Sequence, residues 1–130
     1  MIKQNKNMNK EVEKINLKSK FQKFTDQWSP KVIVEMNDYQ FKLVKIENDF
    51  TWHKHEDTDE TFLVIEGKMG IEFEDQTVEL NEGEMIVIPK GKKHKPYADK
   101  EAKIMIIEPK GVTNTGDVAN DFTAENDPWV

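Results

Sequence analysis

Residues 69–80 read MGIEFEDQTVEL, and the arrangement of their apolar side chains indicates the fold class. Apolar and polar residues alternate on either side of the polar pair Asp75-Gln76. Alternation with a period of two is typical of a β-strand with one buried face, and a polar pair between two such runs is typical of a turn. This stretch therefore predicts two paired strands.

The same pattern extends through the middle of the chain. Asn37-Asp38, a turn-forming pair, separates two further strand-like runs at 32–36 and 39–47. The second run alternates apolar with polar side chains, and the final clear strand spans 102–108. No helical period persists for three turns in this region, so we predict an all-β domain that forms a sandwich or barrel.

Three short segments interrupt the alternation with unbroken apolar runs, at 62–65, 85–88 and 104–107. A strand that is apolar on both sides needs both of its faces covered. One face can look into the barrel, and the other requires a further layer. We predict that a homodimer supplies this layer, because two-fold pairs dominate among soluble oligomers. Coverage by the N-terminal arm is the alternative.

Composition limits the class of protein. The 130 residues allow one ordinary domain, and a net charge of −6 argues against partners such as nucleic acid or an anionic membrane surface. All nineteen basic residues are lysine, so bidentate guanidinium recognition of an anion is excluded. The chain has no cysteine and no visible signal peptide, from which we predict a cytoplasmic protein.

We predict three regions along the chain. Residues 1–20 form a flexible leader and arm, residues 21–112 form the β-barrel domain, and residues 113–130 form an acidic C-terminal tail. Phe122 and Trp129 could attach this tail to the barrel, and a fully solvated tail is the alternative.

The chain has three histidines, and their positions suggest a metal site. His53 and His55 lie two residues apart on a predicted strand, so both imidazoles project from one face. Glu60 follows after a short acidic turn, and His94 follows the turn formed by Pro89 and Gly91. Imidazole and carboxylate are ligands for divalent transition metals. The alternative is that the histidines form only hydrogen bonds inside the barrel.

The identity and role of the acidic residue are open. Asp57 or Asp59 could take the place of Glu60 after a small shift of the turn. Glu60 could also act as a general base at the edge of the site, so it is both a candidate ligand and a candidate catalytic residue.

The full spacing is more specific than any of its parts. It reads His53-x-His55-x4-Glu60-x6-Gly67, then fifteen residues, then Gly83-x5-Pro89-x-Gly91-x2-His94. This pattern resembles the two conserved motifs of the cupin superfamily, including its small single-domain members of unassigned function. Two positions depart from the motif, because Glu47 stands at a usual glycine and Ala98 at a usual asparagine.

The resemblance implies a double-stranded β-helix, or jelly-roll barrel, that holds a divalent metal. His53, His55, Glu60 and His94 would be its ligands, and the metal would be iron, manganese, nickel or zinc. Four protein ligands leave positions open on a six-coordinate ion, which is typical of a reactive site.

Apolar side chains on the ligand face would line the pocket; we predict Phe62 and Val64 there, with Phe41 and Leu43 as further candidates. Such a pocket favours a small organic molecule that chelates the metal. The main hypothesis is a metal-dependent enzyme, either dioxygenase-like or isomerase/lyase-like. A non-catalytic small-molecule-binding or sensing module is the alternative, and a storage or scaffold protein is a third class.

Overall fold

The computed structural model describes residues 11–116, 119–125 and 128–130, which form a β-barrel with one short helix. The elements are α1 Leu17–Phe21, β1 Lys31–Met36, β2 Tyr39–Asp49, β3 Glu60–Glu66, β4 Met69–Phe73, β5 Thr77–Leu80, β6 Met85–Ile88 and β7 His94–Pro109. The predicted all-β class is therefore confirmed. Within these residues, none of the helical segments has the length and apolar character needed to cross a membrane.

The predicted turns join antiparallel strands. Asn37 adopts a left-handed backbone (φ 56°) between β1 and β2, a conformation that asparagine tolerates better than most residues. Between β4 and β5, the Phe73 amide donates a 2.7 Å hydrogen bond to the Gln76 carbonyl. Both hairpins thus form where the sequence predicts them.

Strand β7 closes the barrel because it belongs to both of its halves. The strands hydrogen-bond in the order β1-β2-β7-β3-β6, and β4 pairs with both β5 and β7. The first part of β7, from His94 to Tyr97, pairs with β4. Strand β2 pairs along β7 from Tyr97 to Pro109, and β3 pairs with its later part, from Lys103 to Ile107. The sequence predicted only the later part, at 102–108. A jelly-roll barrel results, as the resemblance to cupins implies.

The barrel interior contains the main hydrophobic core. Its buried side chains come from β2, β3, β4, β5, β6 and β7. They are Val44, Ile46, Phe62, Val64, Met69, Ile71, Phe73, Leu80, Ile88, Ala98, Ala102, Ile104 and Ile106.

A second cluster covers part of the outer sheet face. Phe21 and Phe24, from α1 and the residues after it, pack on Ile33 and Leu43, and Phe41 also contacts this cluster. Helix α1 and the residues after it therefore cover part of the face for which a partner subunit was predicted. Phe41 and Leu43 lie on this outer side, so their predicted place in the pocket is wrong. The alternating pattern identifies two faces of a strand but does not identify which is interior.

The N-terminal boundary of the barrel stays a prediction. Residues 1–10, predicted as part of a flexible leader, lie outside the described residues. The helix Leu17–Phe21 lies across the predicted boundary at residue 20, and its last residue is buried.

The C-terminal residues contact the barrel at two places. Val32 donates to the Pro128 carbonyl at 2.7 Å, and Val130 donates to the Val32 carbonyl at 3.1 Å, so residues flanking Trp129 run along β1. The Phe122 ring packs edge-on against Phe50, with centroids 5.2 Å apart. These contacts agree with attachment near Phe122 and Trp129. Two of the acidic residues on which the tail was predicted, Asp117 and Asp127, lie outside the described residues.

Candidate metal centre

Two backbone segments bring the histidines together. His53 and His94 exchange backbone hydrogen bonds of 2.9 Å in each direction. The segment that carries His53 and His55 forms only this single bridge, although a longer strand was predicted there. The turn before His94 forms as predicted: Gly91 has φ 78°, and its amide donates to the His55 carbonyl at 2.8 Å.

Four buried side chains converge at one point in the barrel. One potential ligand atom from each of His53, His55, Glu60 and His94 lies within 4.8 Å of the others. Glu60 Oε1 is 3.4 Å from His55 Nε2 and 3.5 Å from His94 Nε2. These separations are long for hydrogen bonds. They suit ligands arranged around a common ion, since metal–ligand bonds of about 2.0–2.2 Å place neighbouring ligand atoms about 3 Å apart.

Backbone carbonyls orient two of the imidazoles. His53 Nδ1 donates to the Thr51 carbonyl at 2.9 Å, and His94 Nδ1 donates to the Lys92 carbonyl at 2.8 Å. A carbonyl can only accept, so the proton of a neutral ring resides on Nδ1. This leaves the lone pair of Nε2 available for a metal, as in most histidine metal sites.

The cluster also contains unsatisfied polar atoms. Within the described part of the chain, five buried side-chain atoms have no hydrogen-bond partner, and three of them are His55 Nε2, Glu60 Oε1 and His94 Nε2. Buried polar atoms are otherwise almost always paired, because leaving one unpaired costs about 1–3 kcal/mol. A cation at the common point would satisfy all three, so these residues fit a metal ion.

Burial and neighbouring charge shift the acidity of the cluster. Burial, together with repulsion from His94, lowers the pKa of His53 from 6.5 to about 4. Burial by itself would raise the pKa of Glu60, but contacts with His55 and His94 hold it well below its usual range. A neutral imidazole and an ionised carboxylate are the forms that bind a metal.

The structure distinguishes Glu60 from the neighbouring acids. Glu60 is buried at the start of β3, whereas Asp57 and Asp59 are exposed on the preceding turn. Asp59 accepts a 2.8 Å hydrogen bond from the Lys90 amide and so stabilises the turn instead. The choice of Glu60 from spacing therefore agrees with the geometry.

A small cavity adjoins the cluster, with a free volume of about 30 Å³. Phe62 lines it as predicted, whereas Val64 packs in the core and does not line it. The complete lining consists of Trp28, Pro30, Val44, Ile46, Phe50, His53, Glu60, Phe62, Pro96, Ile104, Ile106, Glu108 and Asn114.

Several residues that line this cavity were not predicted from the sequence. The Asn114 amide donates to the carbonyls of Trp28 and Phe122, and its oxygen accepts from the Ala124 amide at 2.8 Å. Trp28 stacks on Phe50, with ring centroids 4.6 Å apart. Asn114 thus joins the segment between α1 and β1 to the C-terminal segment beside the cavity. No local motif in the sequence indicated this role.

A buried acid and base beside the cavity were also missed. Lys42 Nζ is 2.8 Å from Glu108 Oε2, and each side chain is only 3% exposed. The alternation in β2 suggested a half-buried strand with Lys42 and Gln40 on its polar side, yet both side chains are buried. One feature of the sequence could have identified Glu108. Side chains two residues apart on a strand share a face, so Glu108 continues the inward-facing positions of Ile104 and Ile106 along β7.

Comparisons with known proteins agree with this architecture. The family profile described as "Cupin domain" matches residues 41–108. An uncharacterised protein, YdbB of Bacillus subtilis (strain 168), is 34% identical over 87 residues, which are 58% of this chain and 77% of the relative.

Two crystal structures show the same similarity. A cupin-2 domain protein from Shewanella frigidimarina is 61% identical with a TM-score of 0.73, and the match covers 74% of this chain and 94% of that one. Protein NMB1881 from Neisseria meningitidis is 34% identical with a TM-score of 0.70, and the match covers 75% and 100% of the two chains.

Proposed function

The chain belongs to the cupin family, and from that premise we propose that it is a divalent-metal-binding protein. His53, His55, Glu60 and His94 would hold the ion. The observation that supports this most strongly is the convergence of three buried, unpartnered ligand atoms, in a cluster where two imidazoles are oriented by carbonyls. Histidines that served only as hydrogen-bonding groups would have their Nε2 atoms paired.

We propose further that the site acts on a small organic molecule that chelates the metal. A bound iron, manganese, nickel or zinc ion would polarise an oxygen of such a molecule, and iron would also support chemistry with dioxygen. The apolar walls formed by Phe62, Ile104 and Ile106 would exclude water around it. Glu60 is proposed as a ligand because its Oε1 faces two imidazoles; its additional role as a general base stays a prediction.

The size of the cavity favours a second candidate function. A free volume of about 30 Å³ holds one or two water molecules, but no drug-sized ligand, and Asn114 lines the cavity. A sensing or binding module would use this arrangement without catalysis, because a bound ligand would move the segments that Asn114 joins. Oxygen uptake with a panel of chelating enols distinguishes the two: consumption that depends on substrate supports the enzyme, and tight binding without turnover supports the module.

Metal analysis tests the proposal. The chain is purified without added metal, and its metal content is compared with that of Glu60→Gln and Glu56→Gln. Glu56 is a matched control, because it is an exposed carboxylate four residues away that pairs with Lys54. We expect about one ion per wild-type and Glu56→Gln chain and a large loss in Glu60→Gln. Equal metal content in all three would contradict Glu60 as a ligand.

We also propose a homodimer built on the outer sheet face, where α1 leaves β6 uncovered. Met85 and Val87 of β6 are 55% and 53% exposed. Light scattering should give the mass of two chains for wild type and of one chain for the Met85→Glu/Val87→Glu variant. Val12→Glu, at an exposed apolar residue in the arm, is the control and should remain dimeric. A monomeric wild type would refute the dimer. The cytoplasmic location stays a prediction.

A further inference from the structure

Four polar side chains form a row across the inner face of the sheet, and the row ends at the metal cluster. Glu35 lies opposite Gln40, and Gln40 lies opposite Glu108. Thr61 pairs with Ile107, so the next position along places Glu60 beside Glu108. All four row residues, Glu35, Gln40, Glu108 and Glu60, are buried. The row therefore connects the candidate ligand Glu60 with polar groups that no sequence motif contains.

Glu108 is held from one side by a cation. Lys42, on the adjacent strand, places Nζ 2.8 Å from Glu108 Oε2 in a pair that is almost completely inaccessible to solvent. Desolvation of two ions costs as much as their attraction returns, so apolar residues of similar volume would give comparable stability. Stability alone thus gives no reason for this pair to lie in a barrel core, which suggests a role at the site.

On its other side Glu108 meets Glu60. The strand register places the two side chains next to each other, and both line the cavity. Lys42 bonds only Oε2 of Glu108, and Glu108 Oε1 has no hydrogen-bond partner, so this oxygen is left to interact with the neighbouring Glu60.

We propose that Glu108, braced by Lys42, is a positioning residue that fixes the Glu60 carboxylate with Oε1 toward the imidazoles. Glu60 is the first residue of β3 and follows a turn. Its contacts with His55 and His94 are made by Oε1. Contact with Glu108 restrains the same carboxylate from within the sheet. This inference rests on the proposed metal site.

The test measures the affinity for Zn²⁺, by competition with a chromophoric chelator, and the visible spectrum of the Co²⁺-loaded protein. Glu108→Leu should weaken Zn²⁺ binding about 10- to 100-fold and alter the Co²⁺ bands, as is usual for loss of a group that orients a ligand. Glu108→Gln should retain the wild-type spectrum, because its amide can donate to Glu60 and its oxygen can accept from Lys42.

Two further variants separate positioning from folding. Lys42→Met combined with Glu108→Leu removes both charges, so no unpaired ion remains buried; it should fold and still bind Zn²⁺ weakly. Gln40→Leu changes a buried polar residue in the same row whose amide bonds Glu35, and should leave affinity and spectrum unchanged.

Wild-type affinity and an unaltered Co²⁺ spectrum in the folded double variant would overturn this inference and leave the proposed metal site intact. A wild-type chain that binds no metal would instead overturn the proposed function, and with it the positioning role. A loss in Gln40→Leu as large as that in Glu108→Leu would show a general effect of core polarity and would also refute positioning by Glu108.

Discussion

The buried state of His53 predicts a specific pH dependence of stability for the metal-free protein. Its pKa is 6.5 in the unfolded chain and about 4 in the folded chain. Between these values the unfolded state binds a proton that the folded state does not, so the free energy of unfolding falls as the pH is lowered. The shift corresponds to about 3 kcal/mol in all, of which about 2 kcal/mol should be lost between about pH 7 and pH 4.5.

Urea denaturation of metal-free wild type and His53→Asn at these two pH values measures this contribution. Glu108 acts in the opposite direction, because its raised pKa makes the folded state bind more protons and so lowers stability as the pH rises. That contribution is common to both proteins, so the difference between their profiles isolates His53. We expect the profile of His53→Asn to lack the decrease that His53 causes. Parallel profiles would refute the conclusion that burial keeps His53 neutral.

Further predictions concern the metal ligand His94 and two residues near the C-terminus, Asn114 and Gly116. His94→Ala should reduce bound metal from about one ion per chain to almost none without changing the far-ultraviolet circular dichroism; unchanged metal content would contradict His94 as a ligand. Asn114→Ala removes the hydrogen bonds to Trp28, Phe122 and Ala124, so EDTA should strip metal faster and stability should fall by about 1–3 kcal/mol; an unchanged stripping rate would show that Asn114 does not limit access. Gly116→Ala places a Cβ against the Lys54 carbonyl at φ 64°, so residues near 116 should be cleaved faster by protease, and unaltered cleavage would contradict this close packing.

The sequence predicted the parts of the fold that depend on local chemistry. The alternation at 69–80 and the turn pair Asn37-Asp38 form hairpins because their side-chain pattern and backbone preferences agree with the final sheet. Only the later part of β7 was predicted, since the polar run Asp99–Glu101 interrupts its apolar pattern. In the structure that run belongs to a strand which crosses from one half of the barrel to the other.

The site was predicted in outline for a different reason. The spacing of His53, His55, Glu60 and His94 matched a known motif, and the structure brings these four residues together. Lys42 and Glu108 were missed because a polar residue in an alternating strand is normally assigned to solvent. Their burial depends on pairing between strands far apart in the chain, which the pattern of a single strand does not contain.

The small size of the cavity has a kinetic consequence. With Asn114 bonded to the carbonyls of Trp28 and Phe122, the free space beside the cluster holds one or two water molecules. A larger molecule can therefore enter only after the residues around this space move apart, however often it collides with the surface. At high concentration of such a molecule, the observed association rate should level off at the rate at which these residues move apart. Unlike an affinity, this limiting rate reports directly on how often the barrel exposes its interior.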